Sequence, residues 1–183
     1  MHRIRSSALK LLMLSLIASG CSSAIIGRIP VGSATANLTT ASGAAAGTVR
    51  LRQAAGGMVT VDVNAAGLTP GAHGIHFHEV GLCDGAGAFA SAGAHYNPLS
   101  KEHGLERPAG PHAGDAPNLV AGTDGNATLS FTTDRVTLTS GGTSLFDANG
   151  SAVVVHAAPD DQVTQPSGNS GARVACGVVQ LTP

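Results

Sequence analysis

The chain has 183 residues and a formal net charge of −1, with 11% charged and 3% aromatic residues but 25 glycines. One domain is expected at this length, large enough to bury a core without depending on disulfides. Abundant Gly, Ala, Val and Thr without a collagen period favour a turn-rich, all-β domain over a helical one, and the lack of any basic run or basic–aromatic interleaving argues against nucleic acid as a partner.

From the N-terminus, Arg3, Arg5 and Lys10 precede a short apolar stretch from Leu11 to Ala18. This is the pattern of a secretory signal peptide over residues 1–20, too short for a membrane span. Ala18-Ser19-Gly20-Cys21 is similar to a bacterial lipobox, so Cys21 is expected to be the first mature residue and to carry lipid, the chain's one tie to a membrane. An ordinary cleavage site is the other reading. Without residues 1–20 the chain keeps seven Lys+Arg against eleven Asp+Glu, a net charge of −4. Residues 21–32 read as a tether and residues 33–183 as the domain.

The domain reads as short β segments. Thr48 to Gln53 is one. Met58 to Val63 alternates, with Val59, Val61 and Val63 on one face and Thr60 and Asp62 on the other, the mark of a half-buried strand. Ala127 to Thr132 places Leu129 and Phe131 inward. Val153-Val154-Val155 suits a strand covered on both faces, and Val174 to Leu181 closes the fold. Gly56-Gly57, Asp124-Gly125 and Asn149-Gly150 are turn signals. Residues 80–117 and 157–172 lack strand pattern. Loops this long in a compact domain are functional or disordered; both hold candidate site residues, so metal is expected to order them.

Seven of the eight histidines fall between His73 and His156. Histidine is the commonest metal ligand. In His76-Phe77-His78 the i, i+2 spacing of a strand turns both imidazoles to one side, where they can reach one ion; a strand with two partly exposed histidines is the alternative. His95, His103, His112 and Asp115 lie within 21 residues. Three imidazoles and a carboxylate complete a tetrahedral Zn²⁺ set with no position open for water, which marks a structural site. His156 directly follows the valine strand. With Cys21 lipidated, Cys83 and Cys176 remain, and in an oxidising envelope such a pair reads as a disulfide; two buried thiols are the alternative.

Gly74-Ile75-His76-Phe77-His78-Glu79 and Ala92-Gly93-Ala94-His95-Tyr96-Asn97-Pro98 together resemble segments of the copper/zinc superoxide dismutases. So do Lys101-Glu102-His103-Gly104, Pro111-His112-Ala113-Gly114-Asp115, Val154-Val155-His156 and the run from Gly171 to Val178. The resemblance spans residues 33–181. It implies an all-β, antiparallel Greek-key β-sandwich or flattened barrel of about eight strands, with two long loops building the site. It also implies one copper per chain on His76, His78, His95 and His156, and one zinc on His95, His103, His112 and Asp115, with His95 bridging. Asp160 would hydrogen-bond one ligand of each metal, Arg173 would dock the anion beside copper, and Cys83 would pair with Cys176. His73 would be structural. The implied activity is superoxide dismutation to O₂ and H₂O₂ by alternating reduction and oxidation of copper, an antioxidant role in the periplasm or cell envelope.

Many family members dimerise and some bacterial ones are monomers, so the resemblance implies a homodimer or a monomer. The 160–172 segment lacks the Glu/Lys cluster of many relatives, and Ser167 takes the place of a channel threonine. Lys101 and Arg107 are candidates for steering, with ordinary solvated charge the favoured reading. A metal-buffering domain without turnover, or a zinc hydrolase or lyase with an open site, are the competing functions. The first would be expected to lack a ligand or the arginine. The second leaves the His103–Asp115 cluster without a purpose.

Overall fold

The computed structural model describes residues 30–182. The signal segment, the lipobox-like run and Cys21 lie outside them. Ten strands follow in chain order: β1 Pro30–Thr40, β2 Ala45–Ala54, β3 Val59–Ala65, β4 Gly71–His73, β5 Ile75–His78, β6 Leu119–Ala121, β7 Ala127–Thr133, β8 Ala152–His156, β9 Arg173–Val178 and β10 Gln180–Leu181. One 3-10 turn, Ala90–Ala92, is the only helical element among the described residues.

The first strand begins at Pro30, three residues inside the stretch read as a tether. Its signal is a weak alternation of small residues, with Ala34, Ala36 and Leu38 buried. A proline is tolerated as the first residue of a strand because no ladder bond is lost there. The Val59–Ala65 strand shows the alternation more strongly, with Val59, Val61, Val63 and Ala65 all buried. These side chains meet Val49, Leu51, Phe77, Val153 and Val155 in one continuous core. Each fully buried Val, Leu or Phe there contributes about 1.5–3 kcal/mol.

All pairings between these strands are antiparallel, in the order β4-β6-β7-β3-β2-β1-β9-β8-β5. The first three strands form a meander, and the chain then skips past the positions of β7 and β6 to reach β4, a Greek-key connection. The two ends of the order, β4 and β5, are separated in the chain by Gly74 alone, so the sheet nearly closes into a flattened barrel. Taking β4 with β5, and β9 with β10, as bent strands leaves the eight expected.

At Gly74 the second long loop comes down onto the barrel. The Gly74 N–H donates to Ala158 O at 2.8 Å, and a Cβ there would sit 2.8 Å from the Ser170 side chain and 3.1 Å from the His76 ring. No larger residue fits without moving that loop.

β5 is buried along its whole length because both edges are covered. One edge pairs with β8. Along the other lies loop backbone: Tyr96 N–H donates to Phe77 O at 2.8 Å, Phe77 N–H to Gly114 O at 2.9 Å, and Glu79 N–H to Ala94 O at 3.0 Å. Those contacts set His78 opposite His95 and His76 opposite Asp115. Cys83 and Cys176 form a disulfide that ties the segment after β5 to β9 across 93 positions. In the chain-entropy model a closure of that size is worth about 4–5 kcal/mol.

Candidate metal centre

Period-2 geometry on β5 turns Ile75 and Phe77 into the core and His76 and His78 to the opposite side. His156, the last residue of β8, reaches the same side. His95 joins from the loop paired along the edge of β5 opposite β8. The ligand atoms of His76, His78, His95 and His156 all lie within 4.8 Å of one another, and all four residues are buried. A second group, His95, His103, His112 and Asp115, meets the same criterion and is also buried throughout. His95 belongs to both.

Hydrogen bonds outside the groups set the chemistry of each ring. His78 Nδ1 lies 3.0 Å from Gly93 O, and His156 Nδ1 lies 3.2 Å from Gly171 O. A carbonyl only accepts, so Nδ1 carries the proton in both rings and Nε2 is left with a lone pair. His76 Nε2 lies 2.7 Å from Asp160 Oδ2, which likewise leaves Nδ1 as the free lone pair. His76 Nδ1, His78 Nε2, His95 Nε2 and His156 Nε2 are all buried without a hydrogen-bond partner. Four orphaned nitrogens converging in one place are costly unless they bind something electrophilic. Four imidazoles suit copper or zinc and offer no hard oxygen for calcium or magnesium.

The second group is built around one carboxylate oxygen. Asp115 Oδ1 lies 2.9 Å from His103 Nδ1, 3.2 Å from His95 Nδ1 and 3.5 Å from His112 Nδ1. Asp115 Oδ2 is turned away and accepts the Gly104 and His112 N–H groups at 2.8 and 3.0 Å, which locks the carboxylate plane. His95 therefore presents Nδ1 to this group and its orphaned Nε2 to the first. Three imidazoles and one carboxylate form a complete tetrahedral set for zinc.

Asp160 joins the two groups. Its Oδ2 faces His76 Nε2, and its Oδ1 lies 3.0 Å from His103 Nε2. Asn118 clamps the Asp160 backbone from both sides, accepting its N–H and donating to its carbonyl, each at 2.8 Å. Gly168, at φ +64, packs so closely over this link that a Cβ would fall inside the Asp160 carboxylate.

Burial governs the proton affinities of His78, His95 and His156. It pushes His78 down to about 2, helped by neighbouring His95. It takes His156 to about 3 and His95 to about 4, the latter against the Asp115 hydrogen bond. These rings are neutral and able to ligate near neutral pH. In His103 burial also acts downward, but hydrogen bonds to Asp115 and Asp160 outweigh it and raise the ring to about 9. Burial would raise Asp115 and Asp160, yet the histidines around them hold both well below the usual carboxylate range.

A cavity of ≈ 540 Å³ opens onto both groups, lined by His78, His95, His112, His156, Ser167 and Arg173, among others. Arg173 is half-buried and donates to Phe89 O and Gly93 O, both at 2.6 Å. The disulfide packs beside Phe89, so it anchors the segment that aims this guanidinium. Gly93 O accepts from both His78 and Arg173. His73 stands apart from both groups, its ring held by the carbonyls of His156 at 2.7 Å and Thr69 at 2.8 Å. Arg107 is paired with Glu102 at 2.8 Å, and Lys101 lines a different recess, so neither faces the cavity.

Sequence reasoning missed Gly93, Gly171, Asn118, Gln162 and Gln165. The two glycines act through carbonyls, which carry no side-chain signal, and the other three act across more than 40 positions.

The family model described as copper/zinc superoxide dismutase matches residues 45–179. A superoxide dismutase [Cu-Zn] from Caulobacter vibrioides is 46% identical over 151 residues, covering 81% of this chain and 86% of that protein. Superoxide dismutase [Cu-Zn] 2 from Aquifex aeolicus is 45% identical over 124 residues, 67% of this chain and 72% of the relative. A solved structure of a superoxide dismutase-like protein from Bacillus subtilis superposes with a TM-score of 0.74 at 38% identity, covering 79% of this chain and 96% of the other.

Proposed function

From the premise that this chain belongs to the copper/zinc superoxide dismutase family, we propose that the group of His76, His78, His95 and His156 holds copper and that of His95, His103, His112 and Asp115 holds zinc. The observation that carries this reading is the double membership of His95, with one ring nitrogen turned to each group. The first set is all imidazole, suited to a metal that must change oxidation state. The second is closed and anionic, suited to structural zinc. Copper, when bound, supplies the one-electron couple by which two superoxide anions and two protons become one O₂ and one H₂O₂.

The chain's own groups supply the rest. Arg173 presents a fixed cation on the cavity wall and docks the small anion. His95 Nε2 faces the first group and is positioned to take up a proton and release it towards the reduced product. Asp160 fixes the rings of His76 and His103 together, so the two groups keep a constant relative geometry. Pro166 and Ser167 line the cavity beside these rings and bound the approach to them.

The disulfide suits an oxidising compartment and, together with the leader, supports export to the envelope; lipid on Cys21 rests on the lipobox-like run alone. An intact mass of the cell-derived protein showing an unlipidated N-terminus would refute the lipid. The function itself is tested by loading the protein with both metals and following superoxide consumption with H₂O₂ release. Activity lost on copper-selective chelation and restored by copper is expected; two bound metals without turnover would favour a metal-buffering role instead.

A further inference from the structure

Two glutamines outside both groups tie the loop over residues 157–172 to the segment that carries His103. Gln165 uses its whole side-chain amide. Its Oε1 accepts the His103 N–H at 2.8 Å, and its Nε2 donates to the His103 carbonyl at 2.9 Å. Both backbone polar groups of a fully buried residue are thus satisfied by one side chain, where no strand supplies partners. Gln162 makes a wider span: Oε1 accepts the Leu105 N–H at 3.1 Å and Nε2 donates to the Ala116 carbonyl at 3.2 Å. One amide therefore bridges the two sides of the segment containing His103, His112 and Asp115.

We infer that Gln165, supported by Gln162, is a positioning residue for zinc: it fixes the backbone of His103 from a loop that contributes no member to the zinc group. This rests on the zinc reading above. The His103 ring is already held at both nitrogens by Asp115 and Asp160, so its remaining freedom is in its backbone. Release of a buried ion requires that segment to open locally, and the amide clip must break when it does. The copper group has no comparable backbone clip: the backbones of His76, His78 and His156 are placed by strand pairing between β5 and β8, and this loop meets only the rings of His76 and His156, through Asp160 and Gly171 O. Pro166 and Ser167 follow Gln165 directly and line the cavity, so the same clip sets the cavity wall against the zinc segment.

The test loads the full-length chain with copper and zinc and follows release of each metal to a chelator in parallel, with amide exchange of His103 read in the same samples. Gln165→Ala should release zinc about 10-fold faster, at the lower end of the effect of losing an outer hydrogen-bond partner of a metal site. Copper release should be unchanged, and the His103 amide should exchange faster. Gln165→Glu should fall between, since it can accept the His103 N–H but not donate to the carbonyl. Val163→Ala, an exposed change in the same loop, should match the parent. Unchanged zinc release in Gln165→Ala overturns the inference, as do zinc and copper release rising together, or Val163→Ala behaving like Gln165→Ala. Should Gln165→Ala fail to fold, unaccelerated zinc release in Gln165→Glu overturns it. A parent protein that takes up copper but no zinc overturns the zinc reading itself, and this inference with it.

Discussion

The two halves of the metal centre are held by different kinds of structure. His76, His78 and His156 stand on paired strands, and their outward nitrogens are fixed by Asp160, Gly93 O and Gly171 O. His103, His112 and Asp115 stand on a loop whose backbone is fixed by side chains, chiefly Gln162, Gln165 and the carboxylate of Asp115 itself. The strand-borne half inherits its geometry from the barrel, whereas the loop-borne half, proposed for zinc, depends on mutual contacts that an ion would complete. Loss of a residue should therefore spread differently on the two sides.

Asp115→Asn should separate the two halves most strongly. It removes the only anionic member of the zinc group, and zinc affinity should fall at least 100-fold, beyond the usual cost of changing an outer partner. Copper should still bind, because the strands stay paired. Equilibrium dialysis of both metals reads this directly, and equal loss of copper would show that the two halves do not differ in the way described.

Arg173→Gln comes next. It leaves both groups intact and removes the cation on the cavity wall, so kcat/KM for superoxide should drop about 10-fold, at the low end of electrostatic steering. The rate should also become less sensitive to ionic strength. Stopped-flow decay of superoxide across a salt series checks it, and an unchanged salt slope would remove Arg173 from the docking role.

The smallest effect concerns protons in the metal-free protein. His95 and His156 fall from an ordinary value of 6.5 to about 4 and about 3, because burial disfavours their charged forms. Between those values and 6.5 the unfolded chain binds protons that the folded chain refuses, so stability falls as pH drops from about 6.5 towards 4. His103 has the opposite sign: raised to about 9, it stabilises below 6.5 and loses that contribution as pH rises towards 9. Thermal unfolding of metal-free protein should thus be weakened on both sides of a maximum near pH 6.5. A melting temperature flat from pH 6.5 to pH 4 would contradict the burial of those rings.

Much of the strand-borne half can be read in the sequence. Period-2 spacing in His76-Phe77-His78 and the valine run before His156 show which rings share a side, because strand geometry is local. The zinc loop shows its ligands but not its scaffold. Gln162 and Gln165 sit among Asp, Pro, Ser and Asn and read as solvated polar residues; only the close approach of the second loop gives them partners. Gly93 contributes a carbonyl to two functional side chains, which residue identity does not encode. The first strand is not among the β segments legible in the sequence, because Ala34 and Ala36 carry little hydrophobic signal, although both are buried.

Everything proposed for the two groups turns on His95 being shared. Metal analysis with electron paramagnetic resonance tests it most directly. Copper and zinc should bind at about one each per chain, the Cu²⁺ spectrum should change when zinc is removed, and His95→Ala should abolish that change while cutting turnover severely. Two metals bound with a Cu²⁺ spectrum indifferent to zinc, or a His95→Ala protein that keeps both the coupling and the activity, would contradict it.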